Sequence, residues 1–100
     1  MIKGMILEGG HRVVTINGRE IDPAKSQAVI NHSPDGFNWG YGGSGPAQLA
    51  LGILLELYPR AIALRYYQKL KNDIIARIPI DKDFSIPTGF ITAWMRIQKL

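Results

Sequence analysis

The sequence predicts an α+β fold in which a small antiparallel sheet of three to four strands precedes two longer helices and a short C-terminal helix. Short β-prone runs and an Asn-Gly pair fall in the first part of the chain, and apolar residues at helical spacing fill the second half. Strands grouped before helices are typical of the α+β class. A chain of 100 residues has the length of one domain, so we predict a single domain over residues 1–100.

The strands are predicted at residues 2–7, 12–16 and 19–21. Asn17-Gly18 separates the last two, and both residue types tolerate the positive φ of a type I′ turn, which predicts a hairpin there. Phe37-Asn38-Trp39 alternates apolar, polar and apolar, which indicates a further short strand at the edge of the same sheet. Between these regions, NHSPDG is a dense cluster of turn-forming residues.

The first long helix is predicted over residues 46–57, with Pro46 in its first turn and Gly45 or Ser44 as its cap. Its polar or small positions follow one another at spacings of four and form a narrow stripe: Gln48, Gly52 and Glu56. A helix that is otherwise apolar is buried nearly all round. Gly52 is therefore expected to mark a close approach to another element.

A second helix is predicted from Pro59 to about Ile78, where Pro79 stops it. Charged residues at spacings of four along its outer side predict ordinary surface ion pairs: Arg65, Lys69, Asp73 and Arg77. Lys71 falls beside the apolar face. A short third helix, running from about Phe90 to the chain end, is expected to cover the core.

Composition excludes several function classes. Hydrophobic residues make up 46% of the chain and charged residues 20%, which is ordinary for a globular protein. With no cysteine and two histidines, we expect neither a metal site nor a disulfide, and no cofactor is indicated. No apolar run approaches a membrane span. We therefore expect a cytoplasmic protein. Its apolar helices either close a monomer or leave a face for a homodimer.

Gly40 to Gly45 has the spacing G-x-G-x-x-G and leads into a predicted helix, as in a dinucleotide loop. The context is not that of a dinucleotide-binding unit, because a second helix follows where a parallel strand is needed. A Walker phosphate loop is also excluded, because no Gly-Lys-Ser or Gly-Lys-Thr is present. A serine nucleophile elbow at Ser44 would need glycine at position 46, which is proline. We predict no catalytic residues. The loop is either a glycine-rich helix cap or an anion site built from backbone N–H groups.

The candidate binding residues lie in and around this loop: His32, Ser33, Asp35, Trp39, Tyr41, Gly42, Gly43 and Ser44. Trp39 and Tyr41 either fill the core beneath the loop or form a platform on which a base stacks. The excess of positive charge lies in the second half of the chain, which supports an alternative, a nucleic-acid-binding protein. Its candidate contacts are Arg60, Arg65, Lys69, Lys71 and Arg77.

The segment NHSPDGFNWGYGGSGPAQLALGIL resembles the signature of a domain-of-unknown-function family of small proteins from phages and bacteria. The resemblance extends over nearly the whole chain, including Tyr-Gln-Lys-Leu-Lys at residues 67–71. The family has no established activity, and the resemblance implies an inhibitor or adaptor of host machinery, in the host cytoplasm if phage-encoded. The leading expectation is therefore a non-catalytic binding module that engages a host protein or an anionic small molecule such as a nucleotide.

Overall fold

The computed structural model describes residues 1–99, which form a four-stranded antiparallel sheet and helices and thereby confirm the α+β class. The chain divides into two compact units. One unit comprises Met1–Ile21 together with the segment from Asp83 onward, and the other comprises Asp22–Lys82. The single domain over residues 1–100 stays a prediction. None of the described helices is long and apolar enough to cross a bilayer.

The first unit contains the sheet and the last helix. Its strands, in the spatial order β3-β2-β1-β4, are β1 (Ile2–Ile6), β2 (Arg12–Ile16), β3 (Arg19–Glu20) and β4 (Phe84–Ile86). Between β2 and β3, Asn17 has φ 52° and Gly18 has φ 82°, as the predicted hairpin requires. The last described helix of this unit is Thr88–Gln98, which is called α4 below.

One face of this sheet is buried. Ile2 lies opposite both Ile16 and Ile86, and Gly4 lies opposite Val14 and Phe84. The aromatic ring of Phe84 covers Gly4 so closely that a Cβ atom there would overlap it. Alternate residues of β1 point to the other face and are exposed. A glycine in the middle of β1 is therefore explained by the ring of its cross-strand neighbour.

The second unit contains three helices: α1 (Pro23–Gln27), α2 (Ser44–Leu57) and α3 (Arg60–Asp73). As predicted, α2 is buried nearly all round. Its largest contributions to the core are Leu49, Leu51, Ile53 and Leu54. Burying a large aliphatic side chain stabilises the folded state by roughly 1.5 to 3 kcal/mol, so α2 supplies much of the core of this unit.

The start of α2 differs from the prediction. The helix begins at Ser44, and Gly43 is its N-cap with no side-chain hydrogen bond. Pro46 consequently occupies the third helical position. The first four N–H groups of a helix have no partner within the helix, so proline is tolerated there without loss of a hydrogen bond.

The strand predicted at Phe37–Trp39 is wrong. Phe37 and Trp39 are buried while Asn38 is less so, and the alternation reflects this burial. The backbone bonds of the segment do not form a ladder, because Asn38 N–H donates to Gly45 O (3.3 Å) and Gly40 N–H donates to Ile75 O (3.1 Å). The fourth strand is instead Phe84–Ile86, which pairs with β1.

The second long helix is shorter than predicted. It ends at Asp73, because Ile74 leaves the helical region with φ −127° and ψ −59°. A 3-10 turn, Ile75–Arg77, follows. Ile74 and Ile78 are nevertheless buried. The apolar spacing therefore predicted that these residues face the core, although it did not predict where the helix ends.

Candidate binding surface

Gln48 anchors the segment that precedes the glycine-rich loop. Its side chain is buried, and Oε1 accepts hydrogen bonds from the backbone N–H groups of His32 (2.8 Å) and Ser33 (3.0 Å). Nε2 donates to Ser26 Oγ (2.8 Å) and Ile30 O (3.1 Å). Two acceptor bonds and two donor bonds use the whole capacity of the amide. The NHSPDG turn is thereby fixed to α2.

Along the stripe of Gln48, Gly52 and Glu56, α2 is contacted by α1 and by the segment from His32 to Phe37. A Cβ atom at Gly52 would lie 2.9 Å from the ring of Phe37, which confirms the predicted close approach. Glu56 is 3.4 Å from Lys25 Nζ of α1. The sequence predicted this stripe but did not indicate which segments pack against it. A buried amide on an otherwise apolar helix is the signal that points to a backbone segment in need of hydrogen bonds.

His32 joins the turn to α3. Its Nε2 lies within hydrogen-bond distance of Tyr67 Oη, at 2.7 Å, and the same hydroxyl accepts a hydrogen bond from Gln68 Nε2 (3.3 Å). The side chain of His32 therefore bonds across the unit, and its ring lies tilted against the ring of Tyr67, with 5.5 Å between the ring centres. Among its neighbours in the turn, Ser33 is half-buried and Asp35 is exposed.

Trp39 is a core residue. Its side chain is 0% exposed, and the indole Nε1–H donates to Lys82 O at 2.8 Å. A ring in this position cannot offer contact area to a partner or stack on a base. Of the two interpretations left open for Trp39, the structure selects the core, and the contact role expected of this residue is corrected.

Tyr41 has a different environment, since it is 40% exposed. Its ring lies across the loop so closely that a Cβ atom at Gly43 would overlap it. A Cβ atom at Gly45 would lie 3.0 Å from Tyr41 Oη and 2.6 Å from Asn38 Cβ. Gly43 and Gly45 therefore allow the phenol ring to rest on the backbone, and the exposed part of Tyr41 is held in place.

Gly40 brings a second segment beside Tyr41. It has φ 89°, and a Cβ atom there would lie 2.6 Å from the Cα atom of Ile80. Ile80 is 55% exposed. Two large apolar side chains thus project to solvent from backbone segments that touch at Gly40. We call the set Tyr41, Gly42, Ser44 and Ile80 the Tyr41–Ile80 surface.

The N-terminus of α2 offers few donors to an anion. Gly45 is buried, Pro46 has no N–H, and Ala47 N–H donates to Gly43 O at 3.2 Å. Ser44 is the exposed residue of this first turn. Gly42, two positions earlier, is exposed, its φ lies outside the left-handed region, and a Cβ atom there would meet nothing within 4 Å. The fold itself therefore does not require glycine at position 42.

The cations proposed for nucleic-acid binding do not form one stripe. Lys69 Nζ is 2.9 Å from Asp73, and the guanidinium of Arg65 lies 5.5 Å from the centre of the Tyr66 ring. Arg77 lies beyond α3 and donates to Asn72 O at 3.3 Å. Since successive helical residues are about 100° apart, Arg60 and Lys71 fall on a different side of α3 from Arg65 and Lys69. Positive charge is spread around the helix.

The fold and this loop-built surface define an α+β protein with a fixed glycine-rich loop at the start of its most buried helix. The chain belongs to the family of unknown function DUF6166, whose model matches residues 2–97. The family membership predicted from the sequence is thereby confirmed. No curated protein and no solved structure matches the chain. Within residues 1–99 there is no pocket and no group of three metal-ligating side chains.

Proposed function

We propose that this protein is a non-catalytic binding module that engages another protein through the Tyr41–Ile80 surface. The observation that carries the proposal is the position of two exposed apolar side chains, Tyr41 and Ile80, on segments that touch at Gly40. Exposed apolar and aromatic side chains on neighbouring segments are typical of protein interfaces, where a few such residues supply most of the affinity.

The surface is held rigid from beneath. Gly40 N–H bonds to Ile75 O on one side, and the indole of the buried Trp39 bonds to Lys82 O on the other. These bonds fix the loop to the segment that carries Ile80. A loop that is ordered before binding loses little conformational entropy on association, which favours affinity.

A protein partner fits this surface better than an anion does. The first turn of α2 exposes Ser44 alone, whereas a phosphate cradle uses several convergent N–H groups. Gly42 has no structural requirement for glycine, and a glycine permits close approach of a partner to the backbone. Asp35 would supply a polar contact at the rim, and His32 and Ser33 shape the turn. An inhibitor or adaptor that binds a host protein is the role we propose.

Site-specific photocrosslinking tests the proposal. Full-length protein with p-benzoylphenylalanine at position 41 or 80 is irradiated in a bacterial lysate, and a third variant carries the photoreactive residue at Ile30. Ile30 is an exposed apolar residue of the same unit, 37% accessible, and provides the matched control. We expect one protein to crosslink from positions 41 and 80 and not from position 30.

The crosslinked protein is then purified and titrated with the unlabelled chain. Gly42→Ala should weaken this binding, because the added methyl group separates the partner from the backbone, whereas Gly89→Ala adds a methyl group in open space and should not. Equal crosslinking from all three positions contradicts the proposal. Saturable binding of ATP that Ser44→Asp abolishes would instead establish an anion site at the start of α2.

A further inference from the structure

The turn between β2 and β3 places an asparagine directly before a glycine at the surface. Asn17 and Gly18 are both exposed, and they form a two-residue loop between Ile16 and Arg19, which pair with each other. Their φ angles of 52° and 82° are those of a type I′ turn. The side chain of Asn17 ends in an amide carbon, Cγ, which the next backbone nitrogen reaches by closing a five-membered ring.

The nitrogen that would attack Cγ is accessible. In the part of the chain that the structure describes, the Gly18 N–H has no hydrogen-bond partner. A Cβ atom at Gly18 would meet nothing within 4 Å, so the space around this residue is open. Asn17 Oδ1, the oxygen on the carbon under attack, accepts a hydrogen bond from the nitrogen of Met1 at 2.9 Å. A donor in this position stabilises the negative charge that develops on the oxygen during the attack.

One rotation brings the two atoms together. In a type I′ turn the first loop residue has ψ of about 30°, which places the next nitrogen opposite Cβ, whereas in a type II′ turn ψ is about −120° and that nitrogen lies beside Cβ. The two turns differ by a flip of the peptide group between Asn17 and Gly18. Both close two-residue hairpins, and glycine tolerates the φ of each, so the flip leaves β2 paired with β3.

We infer that Asn17 is a site of spontaneous deamidation, at which the chain converts its own asparagine to aspartate and isoaspartate. Gly18 N bonds to Asn17 Cγ, and its proton leaves with the Nδ2 group as ammonia, which gives a succinimide ring. Water then adds to one of the two ring carbonyl carbons and breaks its bond to Gly18 N, which regains a proton. Opening at Cγ gives aspartate, and opening at the backbone carbon gives isoaspartate.

The two products have different consequences for the hairpin. Aspartate keeps the backbone and, like asparagine, tolerates positive φ. Isoaspartate runs the main chain through Cβ and lengthens the turn by one atom. β3 has only two residues, and beyond it Ile21, which is 3% exposed, donates its N–H to Val14 O at 2.9 Å. The isoaspartate form should therefore hold β3 and Ile21 less firmly. This inference does not depend on the proposed binding function.

Peptide mass spectrometry of the full-length protein, aged at mildly alkaline pH, tests the inference. Trypsin cleaves after Arg12 and Arg19, so one peptide reports on Asn17 alone. Asn31 is the internal control, because it is also exposed but the N–H that follows it, on His32, is bonded to Gln48 Oε1 at 2.8 Å. We expect Asn17 to convert at least about tenfold faster than Asn31, with isoaspartate among the products.

Thermal unfolding of fresh and aged protein tests the consequence. The aged chain should unfold at a lower temperature than the fresh chain, whereas fresh Asn17→Asp should match the fresh chain. Asn17→Gly is the ageing control, because Gly-Gly also suits this turn and offers no amide carbon to attack. Absence of conversion at Asn17, or conversion no faster than at Asn31, overturns the inference. Isoaspartate without any loss of stability, or an equal loss in aged Asn17→Gly, overturns the effect on the hairpin.

Discussion

The side-chain carbonyl oxygen of Gln48 accepts a hydrogen bond of 3.0 Å from the backbone N–H of Ser33, and the same oxygen holds the N–H of His32 at 2.8 Å. A single buried amide therefore fixes the turn that leads into the glycine-rich loop. Its other end binds Ser26 of α1. Gln48 is consequently the residue through which α2 positions both the preceding helix and the turn.

Gln48→Leu should reduce the free energy of unfolding by about 2 to 4 kcal/mol, because backbone donors at His32 and Ser33 lose their partner. Urea denaturation measures the change. Gln68→Leu is the control, since Gln68 is exposed and makes one long bond to Tyr67 Oη. Its effect should remain within about 0.5 kcal/mol. Equal effects of the two substitutions would contradict the anchoring role of Gln48.

Gly40→Ala should destabilise the fold by at least about 2 kcal/mol, because alanine is strained at φ 89° and its Cβ would meet Ile80. Gly42→Ala, two residues along the same loop, meets open space and should change stability by less than about 0.5 kcal/mol. Thermal unfolding of the two variants compares them directly. A Gly40→Ala variant as stable as the original chain would show that the loop does not contact Ile80.

Gly52→Ala should destabilise α2, although alanine is the better helix former by about 1 kcal/mol. The added methyl group would lie 2.9 Å from the buried ring of Phe37, so the ring would have to move. Gly89→Ala, in the first turn of α4, has open space around it and should be neutral or stabilising by a few tenths of a kcal/mol. Chemical denaturation of both variants measures the contrast, and stabilisation by both would refute the close approach.

Trp39 should be inaccessible to quenchers. In Trp94→Phe the only tryptophan is Trp39, which is 0% exposed, so its emission should be blue-shifted and insensitive to acrylamide. In Trp39→Phe the emission comes from the half-buried Trp94 and should be quenched more strongly. Acrylamide quenching of the folded variants provides the measurement. Comparable quenching in both would place the indole of Trp39 at the surface.

The predicted parts of the fold have local causes. The Asn17-Gly18 hairpin depends on two adjacent residues with positive φ, and the burial of α2 follows from its almost continuous apolar sequence. β4 was missed because three residues, Phe84 to Ile86, give no periodic signal, and their pairing with β1 bridges about eighty positions of sequence. Ile6 N–H also donates a hydrogen bond to Asp83 Oδ1 at 2.8 Å, which is a second contact between residues far apart in the sequence.

The candidate surface was predicted in part. The sequence located the glycine-rich loop and gave two interpretations of its aromatic residues. Because Trp39 and Tyr41 alternate along the chain, the same role was predicted for both, whereas only Tyr41 is exposed. Ile80 had no local signal, because its place beside the loop depends on the contact of its backbone with Gly40. Tertiary contacts of this kind are not encoded by spacing along the chain.

The central claim is that Tyr41 and Ile80 bind a partner protein together. The most direct measurement is the affinity of the purified protein that crosslinks at position 41 for the original chain and for Ile80→Ser, with Ile30→Ser as control, by isothermal titration calorimetry. The account predicts that Ile80→Ser weakens binding at least about tenfold while Ile30→Ser does not. Unchanged affinity of the Ile80→Ser variant would contradict it.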